Sequence, residues 1–453
     1  MIPTINKQSL RNLSKEELIE IILALHESIQ KLGKDSTTSS KPPSSDSSNA
    51  PKKNQSLREK SNRSSGGQTG HLGHTRIQSS VPDTIIICRP THCIGCGHTL
   101  ENLSETTMNK RQEFDIPPIK PIITEYQQRA IACSHCRVRT MGTYPEHIIA
   151  PVQFGVNVRS FVTYLSIRHK IPFQRLTEIF SDILQTTVSQ GTVENILNRY
   201  QFKCATLKPT ILSMIKTENW IGSDETGEHV DKKKWWLWVW QNLRGNYYAF
   251  SENRGQQVVT KHFGSDYEGS LIHDCWSAQN NTIASGHQLC HPHLIRDLNF
   301  RIEVYKNIWC YRMKKFLLAS ERARDIIWTD SFEKTLRARI IAEYTEKLTL
   351  LLEVPPSDIK EVATLQKRFQ KHQDKILYFM KFWDVPFHNN SSERAIRTAK
   401  IHQKVSGGFR SEAGAIRHAD ILSVIETCRK QRLDVLDSLK RIHLGTFRFE
   451  GAE

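Results

Sequence analysis

Trp220-Ile221-Gly222-Ser223-Asp224-Glu225-Thr226 is an apolar run that closes on an acid, and it decides how the rest of the chain is read. A second run, Ser270-Leu271-Ile272-His273-Asp274, ends the same way. A third acid, Glu393, follows Val385-Pro386-Phe387-His388-Asn389-Asn390-Ser391-Ser392. The two runs predict strands with Asp224 and Asp274 at their exits, and Glu393 is expected on a helix. Carboxylates gathered from two strands and a helix suit hard divalent cations. Taken singly, each acid has a plainer reading. A strand-end Asp is usually a turn former, and Glu393 can pair with Arg397 one turn on. Glu225, Glu228, Asp231 and Asp266 lack strand-end placement and are expected to be solvated.

Outward from these acids the pattern stays β-rich. Trp235-Trp236-Leu237-Trp238-Val239-Trp240 is followed, after a turn at Gly245-Asn246, by Tyr247-Tyr248-Ala249-Phe250. With 219–223 and 270–273 this makes strand, strand, strand, helix, strand, the order of a ribonuclease H-like half-sheet. The expected fold class is an α/β ribonuclease H-like catalytic core with a helical insertion. A small zinc-ribbon module and a helical DNA-binding region precede it. Residues 294 to about 384 read as helical, with Trp309, Met313, Phe316, Leu317, Ile340, Tyr344, Leu348 and Leu351 at core spacing. That insertion explains why 119 residues separate Asp274 from Glu393 and only 50 separate Asp224 from Asp274.

At 453 residues the chain should hold two or more domains. Its net charge of +16 favours an anionic polymer as partner, although charge alone does not separate DNA from RNA or a membrane surface. No run of about 18 apolar residues is present, so no membrane partner is expected. The N-terminus lacks a signal-peptide pattern, so cytoplasmic residence near the nucleoid is expected. Ten cysteines would then stay reduced, and clusters among them read as metal ligands before disulfides.

The expected organisation runs in seven segments. Residues 1–33 hold a short amphipathic helix opened by a capping box, Ser14 with Glu17, and carrying Leu18, Ile22, Leu25, Ile29 and Leu32. It can pack on its own domain or pair with a second copy. Residues 34–83 are rich in Ser, Thr, Pro, Gly, Asn and Lys and read as a disordered basic linker. Residues 84–148 carry Cys93-Ile94-Gly95-Cys96 and Cys133-Ser134-His135-Cys136, with short strands expected at 116–118 and 122–126. Two C-x2-C pairs suit one structural Zn2+ held by Cys93, Cys96, Cys133 and Cys136, and a closed four-thiolate site leaves no open position for catalysis. Residues 149–215 form a helical region in which 173–180 and the stretch opening at Ser189 resemble a helix-turn-helix, although an ordinary helical hairpin fits equally. Residues 216–299 begin the core, 300–384 form the insertion, and 385–453 complete the core.

Two further groups stand near the acids. Cys290 and His293 make a C-x2-H pair that a second metal could use with His287 or His291. Packing beneath the active site, with Arg296 near phosphate, is the plainer reading. Arg394, Arg397, Lys400, Lys404 and Arg410 form a basic run beside Glu393, suited to nucleic-acid backbone contact.

At this point the motifs resemble the transposases of the insertion-sequence sixty-six family, of the DDE superfamily. The resemblance runs through Lys41-Pro42-Pro43-Ser44-Ser45-Asp46, Gly66-Gly67-Gln68-Thr69-Gly70-His71, both C-x2-C pairs and Ser223-Asp224-Glu225-Thr226-Gly227. It continues through Cys290-His291-Pro292-His293-Leu294-Ile295-Arg296-Asp297-Leu298, Val385 to Arg397, and Lys404-Val405-Ser406-Gly407-Gly408-Phe409-Arg410-Ser411. Cys275-Trp276 stand where relatives often carry Gly and an aromatic residue.

The resemblance implies that Asp224, Asp274 and Glu393 are the metal-binding triad. It implies cutting and joining of DNA at the ends of a mobile element, with the terminal inverted repeats and target DNA as partners. Two Mg2+ ions, or Mn2+ in their place, would be cofactors, Asp224 bridging both and Asp274 and Glu393 each holding one. A homo-oligomer in the active complex and accessory proteins of the same element are further implied. Competing readings are a ribonuclease H-like nuclease or resolvase, a non-catalytic DNA-binding protein descended from a transposase, and an adaptor using the N-terminal helix and zinc module.

Overall fold

The capping box at Ser14 opens a helix, as its spacing predicts. The Ser14 amide donates to Glu17 Oε2 at 2.8 Å and the Glu17 amide donates to Ser14 Oγ at 3.2 Å, which satisfies two of the helix's orphan donors. The computed structural model describes residues 14–32, 70, 76–329 and 332–449. Most of the expected 34–83 linker, including Lys41 to Asp46, lies outside them, as do the side chains of Ile29 and Leu32. Two compact units emerge, Ser56–Ile122 and Met1–Gln55 together with Ile123–Glu453, and their border falls inside the expected 84–148 module.

In chain order the second unit contains α1 (Lys15–Leu32), the short antiparallel pair β1 (Ala130–Ala132) and β2 (Arg139–Met141), α2 (Val156–Thr163, continued as a π-turn through Arg168), α3 (Phe173–Asp182) and α4 (Gln190–Lys216). Strands β3 (Trp220–Val230), β4 (Lys233–Gln241) and β5 (Asn246–Ser251) follow, then α5 (Gln256–His262), β6 (Asp266–His273), α6 (Ser277–Asn280) and β7 (Ile283–Leu289). Helices α7 (His291–Tyr305), α8 (Ile308–Ile327), α9 (Lys334–Leu352), α10 (Lys360–Lys371), α11 (Asn390–Ser406), α12 (Glu412–Lys430) and α13 (Val435–Leu444) complete it. The short strands expected at 116–118 and 122–126 do not form. Pro117, Pro118 and Pro121 cannot donate to a ladder, and pairing occurs instead on either side of the second cysteine pair.

Among the described residues the main sheet has five strands in the order β5-β4-β3-β6-β7. The β3–β4 and β4–β5 pairs are antiparallel, and β3–β6 and β6–β7 are parallel. The strand, strand, strand, helix, strand succession is therefore present. One strand is longer than expected. β3 runs past Asp224 to Val230 because Thr226 to Val230 pair with Lys233 to Leu237 of β4, across a two-residue turn. In that turn Asp231 and Lys232 take φ of 47° and 63°, the left-handed geometry that matches strand twist in a hairpin.

Two cores support this sheet. The larger joins β3–β5 to α2–α4 and α11–α13, with Trp238, Trp240 and Tyr248 fully buried. Helices α3 and α4, read as a possible helix-turn-helix, lie in that core. Ser189 caps α4 through the Thr192 amide at 3.1 Å, and Val193, Ile196, Leu197 and Tyr200 form its buried stripe. The second core is the helical segment before Glu393. Trp309, Met313, Phe316, Leu317 and Leu348 are buried there with Ile272 and Leu289 of the sheet, and Ile340, Tyr344 and Leu351 pack against them.

Candidate active site

The parallel register of β3 and β6 brings the first two acids side by side. Gly222 pairs with Ile272, and two residues further along each chain stand Asp224 and Asp274. Asp224 lies within β3, opposite Val239 of β4, and does not end its strand. Asp274 directly follows β6, as expected.

Glu393 reaches them through a close approach of α11 to β3. A Cβ at Gly222 would lie 2.6 Å from Asn389 Oδ1, Gln241 Nε2 and Ser392 Oγ, so a side chain here would force these groups apart. Asn389 Nδ2 donates to the Ser223 carbonyl at 2.7 Å, and Gln241 Nε2 donates to Ser392 Oγ at 3.0 Å. Alternate residues of a strand share a face, so Asp224 points to the side on which α11 lies. Glu393 stands in the first turn of that helix. The start of α7 locks the loop before it. The Cys290 amide donates to the His273 carbonyl at 2.9 Å, the His291 amide to the Phe387 carbonyl at 3.0 Å, and the Asn389 amide to Cys290 Sγ at 3.2 Å.

This crowding raises the Asp224 carboxyl well above the usual carboxylate range. Burial is the first cause, and the charges of Glu225, Asp274 and Glu393 add to it. Asp224 Oδ1 accepts from the Glu225 amide at 2.9 Å, and Asp274 Oδ1 from the Trp276 amide at 3.0 Å. Glu393 Oε1 is buried without a hydrogen-bond partner, 3.5 Å from Arg296 Nη2 and 3.8 Å from His293 Nε2.

Cys290, His293 and Glu393 bring their ligand atoms within 4.8 Å of one another. His287 and His291, the expected partners of the C-x2-H pair, are engaged elsewhere. His287 contacts His273 and the Thr282 carbonyl, and His291 contacts Glu321 and the Ile376 carbonyl. Burial pushes the Cys290 thiol up to about 12, and burial, then Arg296, lowers the His293 imidazolium. The Asn389 amide on Cys290 Sγ and Arg296 beside Glu393 also engage this cluster.

Two of the acids expected to be solvated are not. Glu225 is buried, bound by Arg254 and Gln279, with its carboxyl pushed up to about 8 by burial and by Asp274 against the pull of Arg254. Glu228 is also buried, because β3 continues beyond Asp224 and carries it under α11. Asp231 and Asp266 are exposed. Of the basic run, Arg394, Arg397, Lys404 and Arg410 are exposed, and Lys400 turns onto the sheet, donating to the Gly227 carbonyl at 2.7 Å. The Gly407-Gly408 loop meets the sheet: Phe409 exchanges backbone hydrogen bonds of 2.8 Å with His229 and Asp231. Gly408, at φ 131°, leaves no room for a Cβ beside the His229 carbonyl.

The two cysteine pairs adopt the same knuckle. The Cys93 amide donates to the His98 carbonyl at 2.8 Å and the Gly97 amide to the Cys93 carbonyl at 2.8 Å. The Cys133 amide donates to Val138 and the Arg137 amide to Cys133, both at 2.9 Å. Gly97 and Arg137, each directly after the second cysteine, both take left-handed φ. Amides of Gly95 and Cys96 lower the Cys93 thiol, and those of Cys136 and His135 lower Cys133. Amides converging on sulfur favour thiolate, the form that binds metal.

The acids fit a divalent cation. Asp224, Asp274 and Glu393 supply hard oxygens, one of them buried without a hydrogen bond, and their mutual repulsion is what a bound cation relieves. Among the described residues no helix is long and apolar enough to cross a membrane.

Residues 151–417, more than half of the chain, match the transposase IS66 family. Residues 90–137, which contain all four knuckle cysteines, match the zinc-finger binding domain of transposase IS66, and residues 5–77 match a family of unknown function. Two proteins of Sinorhizobium fredii (strain NBRC 101917 / NGR234) are similar. The uncharacterized protein y4jO is 23% identical over 148 residues, covering 29% of this chain and 45% of that protein. The uncharacterized protein y4hP is 22% identical over 420 residues, covering 80% and 72%. The acids on β3, after β6 and on α11 all fall inside the family match, and the chain belongs to the transposase IS66 family.

Proposed function

We propose that this protein cleaves the ends of an insertion sequence and joins them to target DNA, with Asp224, Asp274 and Glu393 as its catalytic acids. Hydrolysis of the phosphodiester at an element end leaves a 3′-hydroxyl. That hydroxyl then displaces a 3′-oxygen from a target phosphodiester in the same site. The observation that carries the reading is the convergence of three carboxylates, from β3, the end of β6 and the first turn of α11, in one half-buried cluster. A sheet in the order β5-β4-β3-β6-β7, with its first three strands antiparallel and the rest parallel, supports a ribonuclease H-like core.

When bound, divalent metal, best Mg2+, neutralises the transferring phosphate and activates the attacking oxygen. Asp224, Asp274 and Glu393 would hold the metal, Asp224 being within electrostatic reach of both other acids. Arg296 keeps Glu393 oriented. Exposed Arg394, Arg397, Lys404 and Arg410 grip DNA phosphates beside the site. The knuckles take zinc through Cys93, Cys96, Cys133 and Cys136. The active complex is a homo-oligomer on the element's two ends, with accessory proteins of the same element as further partners.

The test is cleavage and strand joining on DNA carrying the element's ends, with Mg2+, for wild type and Asp224→Ala. Joined products that vanish in the variant support the reading. Cleavage without joining moves the protein to the nucleases, and binding without chemistry to the DNA-binding descendants.

A further inference from the structure

We propose that Arg254 is a positioning residue: it clasps together the two residues whose backbone amides orient the first two acids. The observation is a closed chain of contacts. The Glu225 amide holds Asp224 Oδ1 at 2.9 Å, and the Trp276 amide holds Asp274 Oδ1 at 3.0 Å. The side chains of the same two residues meet at Arg254. Its Nε and Nη2 donate to Glu225 Oε1 at 2.8 and 2.6 Å, and its guanidinium lies 3.6 Å over the Trp276 ring. Trp276 Nε1 closes the loop by donating to the Arg254 carbonyl at 3.0 Å.

The clasp is held on its remaining sides. Gln279 Nε2 occupies the second Glu225 oxygen at 2.7 Å, and Trp236 lies 4.5 Å from the guanidinium on another side. Successive strand residues point to opposite faces, so Glu225 works from the side of the sheet away from Asp224 and α11. Arg254 comes from the loop between β5 and α5, which contributes none of the three acids.

Arginine suits this position physically. A planar guanidinium donates two bonds to a carboxylate and stacks on an indole at the same time, which an ammonium cannot do. Glu225 is buried and needs a partner, so the pair resists opening. The separation of the Glu225 and Trp276 backbones, and with it the spacing of Asp224 and Asp274, is then set by a side chain that never touches substrate or metal. Groups that orient metal ligands in this way affect metal affinity by about 10–100-fold.

The inference rests on the proposed metal-binding role of Asp224 and Asp274. Its test is a titration of full-length protein with Mn2+, followed calorimetrically without DNA, beside cleavage of element-end DNA at graded Mg2+. Arg254→Lys keeps the charge and loses the fork and the stack. Its metal half-saturation is expected to rise about 10-fold or more, with cleavage largely restored at high Mg2+ and metal-free DNA binding unchanged. The double variant Glu225→Gln with Arg254→Met removes the buried carboxyl together with its guanidinium partner. It covers the case in which Arg254→Lys fails to fold, and it should show the same shift. Wild-type metal titration in a folded variant overturns the clasp when Asp224→Ala abolishes Mn2+ binding. Wild-type titration in Asp224→Ala itself overturns the metal-site reading and the clasp with it.

Discussion

Lys400, two turns beyond Glu393 on α11, donates its ammonium to the backbone oxygen of Gly227 at 2.7 Å. The same helix that carries Glu393 is thereby tied to β3 at a second point, beyond the Gly222 contact. Burial lowers the Lys400 ammonium and the Glu228 charge opposes that, as expected of a cation directed inward. Its exposed neighbours on α11 are free to face a polyanion. Arg394→Ala or Arg397→Ala should reduce the slope of log affinity for DNA against log salt by about 1. Lys400→Ala should leave that slope unchanged while lowering the melting temperature. Equal slopes for all three variants would place Lys400 on DNA as well.

Glu228 makes stability depend on pH. Burial holds its carboxyl up at about 7, against the His229 amide and the Lys400 charge, so the folded chain keeps a proton that the unfolded chain releases near 4.5. A raised folded value contributes stability that is complete below about 4.5 and is lost as pH rises through 7. Glu228→Gln removes that loss. The variant's melting temperature should exceed that of wild type by about 2 °C or more at pH 8, with the difference shrinking toward pH 5. A difference constant across this range would show that Glu228 does not titrate in the fold.

Gly222→Ala puts a methyl group against Asn389, Gln241 and Ser392, all buried and two of them hydrogen-bonded to each other. Overpacking of this kind destabilises by about 1–3 kcal/mol. The larger expected effect is on chemistry, since the displaced element carries Glu393. Cleavage should fall at least about 100-fold in protein that still melts cooperatively. Near-normal cleavage would mean that α11 shifts without moving its acid.

The knuckles predict zinc dependence apart from the acids. Cys93→Ser and Cys133→Ser should each lose bound zinc, measured by elemental analysis of purified protein, while the Mn2+ titration of the acid cluster stays unchanged. Full zinc retention in either variant would remove that cysteine from the ligand set.

Much of this arrangement was legible in the chain because it is settled within a few residues. The capping box at Ser14, the Ser189 cap of α4, the paired knuckles, the strands around Asp224 and Asp274 and the helix bearing Glu393 all follow from spacing and side-chain chemistry. The helical stripe at Trp309, Met313, Phe316 and Leu317 was readable for the same reason.

Other features were decided only by tertiary contacts. β3 extends through Asp224 because β4 supplies partners as far as Val230, and that extension buries Glu228. Glu225 looked like one more solvated acid beside Asp224. Its burial depends on Arg254 and Gln279, 29 and 54 residues away, which no local pattern announces. Lys400 read as one member of a basic run, and only the approach of α11 to Gly227 turns it inward. Periodicity and capping are local energies that a sequence states openly. Which charge ends up buried, and against which partner, depends on how distant segments pack, and that is decided only when the sheet, its helices and the long insertion close around the acids.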